Sequence, residues 1–173
     1  MTKKINTKLI KLIKYYSQIN HKLIYENEAI NRYKINNNLA IKGPKGIKLQ
    51  ELKDSVGRIK NCELKKNSTH IVFSDGNPDA EIMIIGEGPG ANEDLEGVPF
   101  IGKTGELLDK MLLSINLDRD NVYISNVVNY RPPENRNPTE VEIARYLPYL
   151  IKHIEIISPR ILILLGSTAL NTI

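Results

Sequence analysis

Three short, nearly uninterrupted apolar segments constrain the fold of this chain more than any other feature. They cover residues 81–85, 122–128 and 161–165, and their length and composition fit strands buried on both faces. Helical apolar spacing appears between them over 105–115 and 139–157, and Thr139 with Glu142 forms the pattern of a capping box. Buried strands alternating with helices predict a three-layer α/β/α domain with a central, mainly parallel sheet.

Weaker patterns complete the expected fold. Residues 49–59 are predicted as a helix, 70–73 as a short strand and 75–78 as a turn, and a long loop separates the first buried strand from its helix. A further helix opens after Gly166, and the sequence stops at Ile173, about two turns into it. The domain is therefore expected to be incomplete at its C-terminus.

Charge divides the chain into two parts. Residues 1–55 carry 12 Lys and Arg against 4 Asp and Glu, whereas residues 56–173 carry 12 against 16. We predict a basic helical N-terminal arm and linker over 1–55, followed by the main domain over 56–173. Such an arm can bind the phosphates of nucleic acid. A lysine-rich helix face is, however, usually just exposed to solvent. The single cysteine, Cys62, suits a reducing cytoplasm, and lysines interrupt the apolar runs too often for a membrane span.

Three loops follow the carboxyl ends of the predicted buried strands, where parallel sheets bind their ligands. They are residues 86–90, 126–138 and 166–168. In the first loop, Gly86, Gly88 and Ala91 fit the loose spacing of a dinucleotide-binding turn. Pro89 interrupts that motif, and the acidic segment 92–97 follows where phosphates would lie. A nucleotide-cofactor protein is therefore the weakest of the functional hypotheses.

Several long blocks of sequence occur in a consistent order that is typical of one enzyme family. They are residues 75–79 (DGNPD), 86–94 (GEGPGANED), 97–108 (GVPFIGKTGELL), 122–128 (VYISNVV), 131–139 (RPPENRNPT) and 159–169. Together they resemble the family 4 uracil-DNA glycosylases, which are of the iron–sulfur type. The resemblance implies a uracil-DNA glycosylase-like fold and hydrolysis of the N-glycosidic bond of uracil in DNA during base-excision repair. It also implies single- or double-stranded DNA containing uracil as the partner of a monomer.

The resemblance assigns roles to residues at the first two loops. The wall of a uracil pocket would consist of Gly86, Glu87, Gly88 and Pro89. Phe100 would lie against the base, and the amide of Asn126 would pair with its O4 and N3–H edge and exclude cytosine. Glu93 would crowd the C5 position, where thymine carries a methyl group. Glu87 would be the catalytic carboxylate, near the sugar and the attacking water. Without the resemblance, each of these residues would more simply be a core, cap or surface residue.

Four positions depart from the family in a way that concerns its cofactor. Family members hold a [4Fe–4S] cluster with four cysteine thiolates. At the corresponding positions this chain carries Ile59, Cys62, Tyr130 and Tyr146. One thiolate cannot hold the cluster, so we predict no cofactor for this chain. We also expect these four side chains to converge and fill the vacated volume as a small core.

The last motif of the family is the second departure. It carries a His-Pro-Ser segment whose histidine contacts uracil O2, and this segment would belong beyond Ile173. None of His21, His70 and His153 matches it. Losing one donor to a developing oxyanion commonly costs about a hundredfold in rate, so the activity is expected to be weak or lost. The alternative to an enzyme is a non-catalytic DNA-binding module or a degenerate remnant of the fold.

Overall fold

A computed structural model describes residues 44–173, which contain one four-stranded sheet. The strands are β1 (Asp75–Gly76), β2 (Ile82–Gly86), β3 (Val122–Asn126) and β4 (Ile161–Leu164). Their order across the sheet is β1-β3-β2-β4. Strand β2 pairs in parallel with β3 and with β4, whereas β1 is antiparallel to β3. The mainly parallel sheet predicted from the sequence is confirmed.

Helices cover both faces of this sheet. They are α1 (Pro44–Gly57), α2 (Glu63–Lys66), α3 (Ala91–Glu96), α4 (Lys103–Ser114), α5 (Glu140–Ile157) and α6 (Ser167–Thr172), with a 3-10 turn at Pro133–Asn135. On one face, Leu108 and Leu112 of α4 pack with Ile84 and Ile124 of the sheet. On the other face, a larger core contains buried residues of α1 and α5. The domain therefore has the expected three layers. None of the helices in the described range 44–173 is both long enough and apolar enough to span a membrane.

The continuous apolar runs are explained by burial on both faces of the central strands. Met83 and Ile85 of β2 face the α5 side, whereas Ile84 faces α4, and all three are at most 1% exposed. The prediction for β4 was wrong in one respect, because that strand is buried on one face only. Ile161 is 53% exposed, since α4 covers β2 and β3 but does not extend over β4. The opposite face of β4 packs against the larger core through Leu162 and Leu164.

Helix α5 begins where the capping box predicted. The Thr139 amide donates to Glu142 Oε2 at 2.7 Å, and the Glu142 amide donates to Thr139 Oγ1 at 3.3 Å. This reciprocal pair satisfies two amides that the first turn of a helix leaves without backbone partners. The start of α5 is thereby fixed directly after the loop that leaves β3.

The predicted strand over residues 70–73 does not form. Amides of Thr69 and His70 donate to the carboxylate of Asp94 instead, and the Val72 amide makes a single bond with the carbonyl of Asn129. The ladder with β3 occurs at Asp75–Gly76, where the sequence predicted a turn. Helix α3 also falls inside the region that was predicted as a loop. The contacts of Thr69 and His70 with Asp94 are distant in sequence, whereas α3 is capped locally by Gly90 and Glu93.

Helix α1 starts earlier than the predicted helix over residues 49–59. It packs against α5, and its residues Leu49, Leu52 and Val56 belong to the larger core. The Lys45 ammonium donates to the carbonyl of Ile157 at 2.9 Å, at the end of α5. The predicted boundary between residues 55 and 56 lies within α1. The predicted helical pattern of the N-terminal arm lies in residues 1–43, outside the described residues.

Candidate active site

The carboxyl ends of β2 and β3 lie side by side because the two strands are parallel and in register. Gly86 at the end of β2 is the partner of Asn126 at the end of β3. Beyond them, the Val127 amide donates to the Gly86 carbonyl at 2.8 Å. The loops that follow the two strands therefore start from the same edge, which is where parallel sheets place their ligands.

A cavity of about 590 Å³ opens at this edge of the sheet. Its volume is within the range of small-molecule sites. The lining includes all residues that the resemblance assigned to uracil, namely Gly86, Glu87, Gly88, Pro89, Glu93, Phe100 and Asn126. It also includes residues that the sequence did not indicate, among them Thr104, Leu107, Met111 and Arg136. The structure thus brings the expected set together at one place.

Gly86 allows two side chains to meet directly over its backbone. A Cβ atom placed on Gly86 would lie 2.5 Å from Phe100 Cζ and 2.6 Å from Asn126 Oδ1. Both distances are well below van der Waals contact, so any larger residue would displace the ring, the carboxamide or both. The ring of Phe100 and the carboxamide of Asn126 consequently converge at the floor of the cavity.

Asn126 contains a buried acceptor without a partner. The residue is only 3% exposed, and no group within residues 44–173 donates a hydrogen bond to its Oδ1. An unpaired buried polar atom costs about 1–3 kcal/mol. A ligand that places an N–H group opposite Oδ1 would recover this free energy. The cavity therefore favours a ligand with a hydrogen-bond donor on the edge that faces Asn126.

Phe100 adopts a backbone conformation that is rare for a bulky residue. Its φ is 56°, in the left-handed region, where a residue with a side chain pays about 1–2 kcal/mol. Gly105, inside α4, permits this conformation, because a Cβ atom there would overlap the carbonyl group of Phe100. Glycine inside a helix lowers helix stability. The lower helix stability caused by Gly105 is therefore coupled to the space that the Phe100 backbone needs.

Glu93 connects two segments of the cavity wall through its carboxylate. Its Oε2 accepts from the Gly90 amide at 3.1 Å, and its Oε1 accepts from the amides of Ile101 and Gly102 at 3.0 and 2.8 Å. The sequence suggested only that Glu93 would crowd the C5 position of the base. What the structure shows is that Glu93 fixes the segment next to Phe100.

Glu87 is half-buried in the cavity lining, and the start of α6 orients it. The hydroxyl group of Thr168 donates to Glu87 Oε2. Thr168 belongs to the third loop that was predicted to leave this edge of the sheet, but its hydrogen bond was not anticipated. This contact restricts the rotation of the carboxylate to which the resemblance assigned catalysis.

An ion pair fixes the loop between β3 and α5 at the rim of the cavity. Nη1 and Nη2 of Arg136 donate to the two carboxylate oxygens of Glu142 at 2.8 and 2.7 Å. The hydrogen bonds from Arg136, assisted by those from Thr139, lower the pKa of Glu142 to about 2. Glu142 therefore stays ionised at neutral pH and holds the exposed Arg136 beside the cavity. The sequence indicated the helix cap but not its role at the rim.

The start of α3 disfavours a nucleotide phosphate at the Gly-rich loop. Its first turn carries Glu93 and Asp94, so negative charge lies where a helix N-terminus would otherwise attract an anion. The Asp94 carboxylate is buried and already accepts from the amides of Thr69 and His70, at 2.9 and 3.3 Å. These contacts argue against the dinucleotide hypothesis.

Of the four positions that correspond to cluster ligands, Cys62, Tyr130 and Tyr146 lie close together, as expected for those three. Cys62 Sγ lies 3.1 Å from Tyr146 Oη, and Ile59 and Tyr130 pack in the same core. Burial and the contact with Cys62 raise the pKa of Tyr146. Burial also raises the pKa of Tyr130, with a contribution from Cys62. Both phenols therefore remain neutral at physiological pH.

These residues do not fit a [4Fe–4S] cluster. Such a cluster is held by four thiolates, and the whole sequence contains one cysteine. In the part of the chain that the structure describes, His, Cys, Asp and Glu side chains nowhere form a group of three or more suited to a metal ion. The four positions carry a thiol, two phenols and an aliphatic side chain, which pack together in a core but cannot replace four thiolates.

Neither described histidine lines the cavity. His70 lies with its Nδ1 3.0 Å from the carbonyl of Asp94. His153 of α5 is 3% exposed; its Nε2 lies 2.8 Å from Tyr123 Oη, and its ring stacks on Phe73 with a centroid distance of 4.5 Å. Burial lowers the pKa of His153 to about 3, so the imidazole is neutral. His21 lies outside the described residues.

Comparison with known proteins identifies relatives of this chain. Residues 73–173 match the model of the uracil DNA glycosylase superfamily. The Type-4 uracil-DNA glycosylase of Sulfurisphaera tokodaii is 49% identical over 119 residues, which are 68% of this chain and 54% of that protein. The enzyme of the same name from Archaeoglobus fulgidus is 44% identical over 124 residues, 70% of this chain and 62% of that protein. That of Saccharolobus solfataricus is 47% identical over 119 residues, 68% and 55% respectively.

The match to the family model covers the same region as the cavity and the sheet that carries it. The chain spans between 54% and 62% of the length of these relatives. The match to the family model includes both strand ends and every loop that lines the cavity. On this match and this fold, the chain belongs to the uracil-DNA glycosylase superfamily.

Proposed function

We propose that this chain recognises uracil in DNA and hydrolyses its N-glycosidic bond, as a uracil-DNA glycosylase of base-excision repair. The relatives that it resembles bear the name of that activity. One observation carries the proposal for this chain: the buried, unpartnered Oδ1 of Asn126 lies beside the ring of Phe100 at the floor of the cavity. A flat heterocycle with an N–H group on its edge satisfies both features at once.

The carboxamide of Asn126 matches the edge of uracil. Uracil presents an N3–H donor next to the O4 acceptor, and an amide supplies an acceptor and a donor in the complementary order. Cytosine presents an N3 acceptor at the same place, and that lone pair would face Oδ1. Leaving the buried Oδ1 unpaired costs about 1–3 kcal/mol, which corresponds to about 5- to 160-fold discrimination.

The remaining residues contribute shape and charge around a base that has left the DNA stack. Glu93 holds the wall next to Phe100, where we propose that it leaves too little room for the C5 methyl group of thymine. Glu87, oriented by Thr168, would stabilise positive charge on the sugar and accept a hydrogen bond from water. The C1′–N1 bond breaks with its electron pair on uracil, the water oxygen binds C1′, and the water proton balances the leaving base.

We also propose that the chain works without an iron–sulfur cluster, as a monomer in the cytoplasm. The contact between Cys62 and Tyr146 supports the first point, because these side chains occupy part of the cluster position. The boundary between a basic arm and the glycosylase-like domain remains part of this proposal.

Uracil release from single-stranded and duplex oligonucleotides, with the chain in excess, tests the proposed function. We expect release from DNA containing uracil and none from cytosine or thymine at the same position. Asn126→Asp keeps the side-chain size but removes the amide donor, and we expect about 10- to 100-fold slower uracil release. Asn116→Asp makes the same charge change at an exposed position and should leave the rate unaltered.

Binding of free uracil, followed by ligand-observed NMR, separates recognition from chemistry. A chain that binds uracil and releases none from DNA would refute catalysis and support the non-catalytic module. A chain that neither binds nor releases uracil would refute the proposal as a whole. Equal rates for the two aspartate variants would show that Asn126 does not read the base.

A further inference from the structure

Arg119 does not line the cavity, yet it contacts the segment that carries Phe100. Its Nη1 donates to the carbonyl of Pro99 at 3.1 Å, and its Nη2 donates to the carbonyl of Phe100. The same guanidinium donates to Asp75 at 2.6 Å and, through Nε, to Asp109 at 2.9 Å. Arg119 therefore links this segment to β1 of the sheet and to α4.

The surroundings of Arg119 keep it charged and ordered. Its side chain is 15% exposed, while those of Asp75 and Asp109 are 31% and 35% exposed. Burial alone would lower the pKa of Arg119, but hydrogen bonds with the two carboxylates and their charges outweigh it and raise the pKa. A planar guanidinium can bind several oxygens in fixed directions, whereas an ammonium group is a single point of charge.

Two charged side chains hold the peptide unit between Phe100 and Ile101 from opposite ends. Arg119 binds its carbonyl oxygen, and Glu93 accepts from its N–H group at 3.0 Å. Gly105 leaves space for the left-handed conformation of Phe100 but makes no bond that would retain it. The charged contacts therefore oppose relaxation of Phe100 to an ordinary backbone conformation, together with the packing of its ring against the core on the α4 side.

We propose that Arg119 is a positioning residue for base recognition: it holds Phe100 in the left-handed conformation that directs the ring towards Gly86 and Asn126. Because the hydrogen bonds run to backbone carbonyls, the effect reaches the ligand only through the ring. The inference rests on the proposed function only where it assigns uracil to the cavity.

The chain contains two phenylalanines, which allow a direct test. Full-length chain labelled with 4-fluorophenylalanine gives two ¹⁹F resonances, one from Phe100 and one from Phe73. Phe73 packs in the larger core and stacks on His153, so its signal reports the integrity of the fold. The variants are Arg119→Lys, which keeps the charge between the two carboxylates, and Arg119→Gln, which removes it. Arg160→Gln removes an exposed arginine paired with Glu81 and is the control.

We expect the Phe100 resonance to shift and broaden in both Arg119 variants while the Phe73 resonance stays in place. Uracil affinity should fall about tenfold or more in both, because a misplaced contact surface costs binding of this order. Arg160→Gln should change neither signal. Only a variant with a native Phe73 signal is used to judge the role of Arg119. We expect Arg119→Lys to meet this condition, because lysine keeps a positive charge between the two carboxylates.

Native Phe100 resonance and native uracil affinity in Arg119→Lys would overturn the proposal. So would equal displacement of the Phe73 and Phe100 signals, since that result would indicate a general structural role. The ¹⁹F comparison is made without uracil and is therefore independent of the proposed function. If uracil leaves the Phe100 signal of the native chain unmoved, the proposed function fails while the positioning role of Arg119 can still stand.

Discussion

The buried His153 should make the stability of this domain depend on pH in a way that one substitution removes. Its pKa is lowered from 6.5 to about 3 by burial on the inner face of α5, against Phe73 and Tyr123. Below pH 6.5 the unfolded chain takes up a proton at this residue, whereas the folded chain does not until about pH 3. Stability is therefore fully present above pH 6.5 and is lost as the pH falls towards 3.

The size of the effect follows from these two pKa values. Relative to pH 7, protonation of His153 in the unfolded state lowers the free energy of unfolding by about 2 kcal/mol at pH 5 and about 3 kcal/mol at pH 4. Both figures are large fractions of the stability of a typical domain. Tyr123, which lies 2.8 Å from Nε2 and 2.7 Å from the hydroxyl group of Ser74, stays neutral throughout this range.

Urea unfolding followed by circular dichroism at pH 7, 5 and 4 measures the effect. Carboxylates also respond to pH, so native chain and His153→Gln are compared at each pH. Glutamine can approach the Tyr123 hydroxyl group but does not titrate in this range. We expect the stability advantage of the native chain over the variant to shrink by about 2 kcal/mol between pH 7 and pH 5. A difference that stays constant with pH would refute the argument that His153 is folded as the neutral imidazole.

Two further predictions concern the cavity and the former cluster positions. Gly86→Ala should weaken uracil binding about tenfold or more in a titration, because the new methyl group displaces the Phe100 ring and the Asn126 carboxamide. Gly57→Ala, which enters open space, should leave the affinity unchanged, and equal affinities would contradict the assigned floor of the cavity. Chain purified anaerobically after supply of iron and sulfide should contain far less than one cluster per molecule by metal analysis, and Cys62→Ser should contain the same amount. A full cluster in the native chain would contradict the cofactor-free core.

The elements that the sequence predicted well are those determined by local pattern. The strand ending at Gly86 is apolar throughout because it is buried on both faces, and the start of α5 follows from the side chains of Thr139 and Glu142. The proximity of Gly86 and Asn126 followed from the periodic pattern, because parallel strands in register bring their ends together. In these cases the deciding contacts are adjacent or periodic in the chain.

Other features depend on contacts that no local pattern encodes. The carboxylate of Asp94 accepts hydrogen bonds from two backbone amides that lie 24 and 25 positions away. These amides begin the segment that was predicted as a strand at 70–73, and they are not paired with a neighbouring strand. Arg119 reaches the carbonyl of Phe100, 19 positions distant, and the carboxylate of Asp75, 44 positions distant, and no local pattern indicates either contact. Only one residue in the sequence is related to the left-handed conformation of Phe100, namely the glycine at position 105 in the amphipathic helix α4. That relation has meaning only once the carbonyl group facing Gly105 is known.

The crowding around Gly86 and Gly105 has a consequence for how descendants of this sequence can diverge. A side chain at either glycine would collide with the Phe100 unit, so exchanges there need simultaneous changes elsewhere and should be rare. Ile59 and Tyr130 need only fill volume, and a core accepts many apolar replacements of similar size. Neutral substitutions should therefore accumulate faster at Ile59 and Tyr130 than at Gly86 and Gly105.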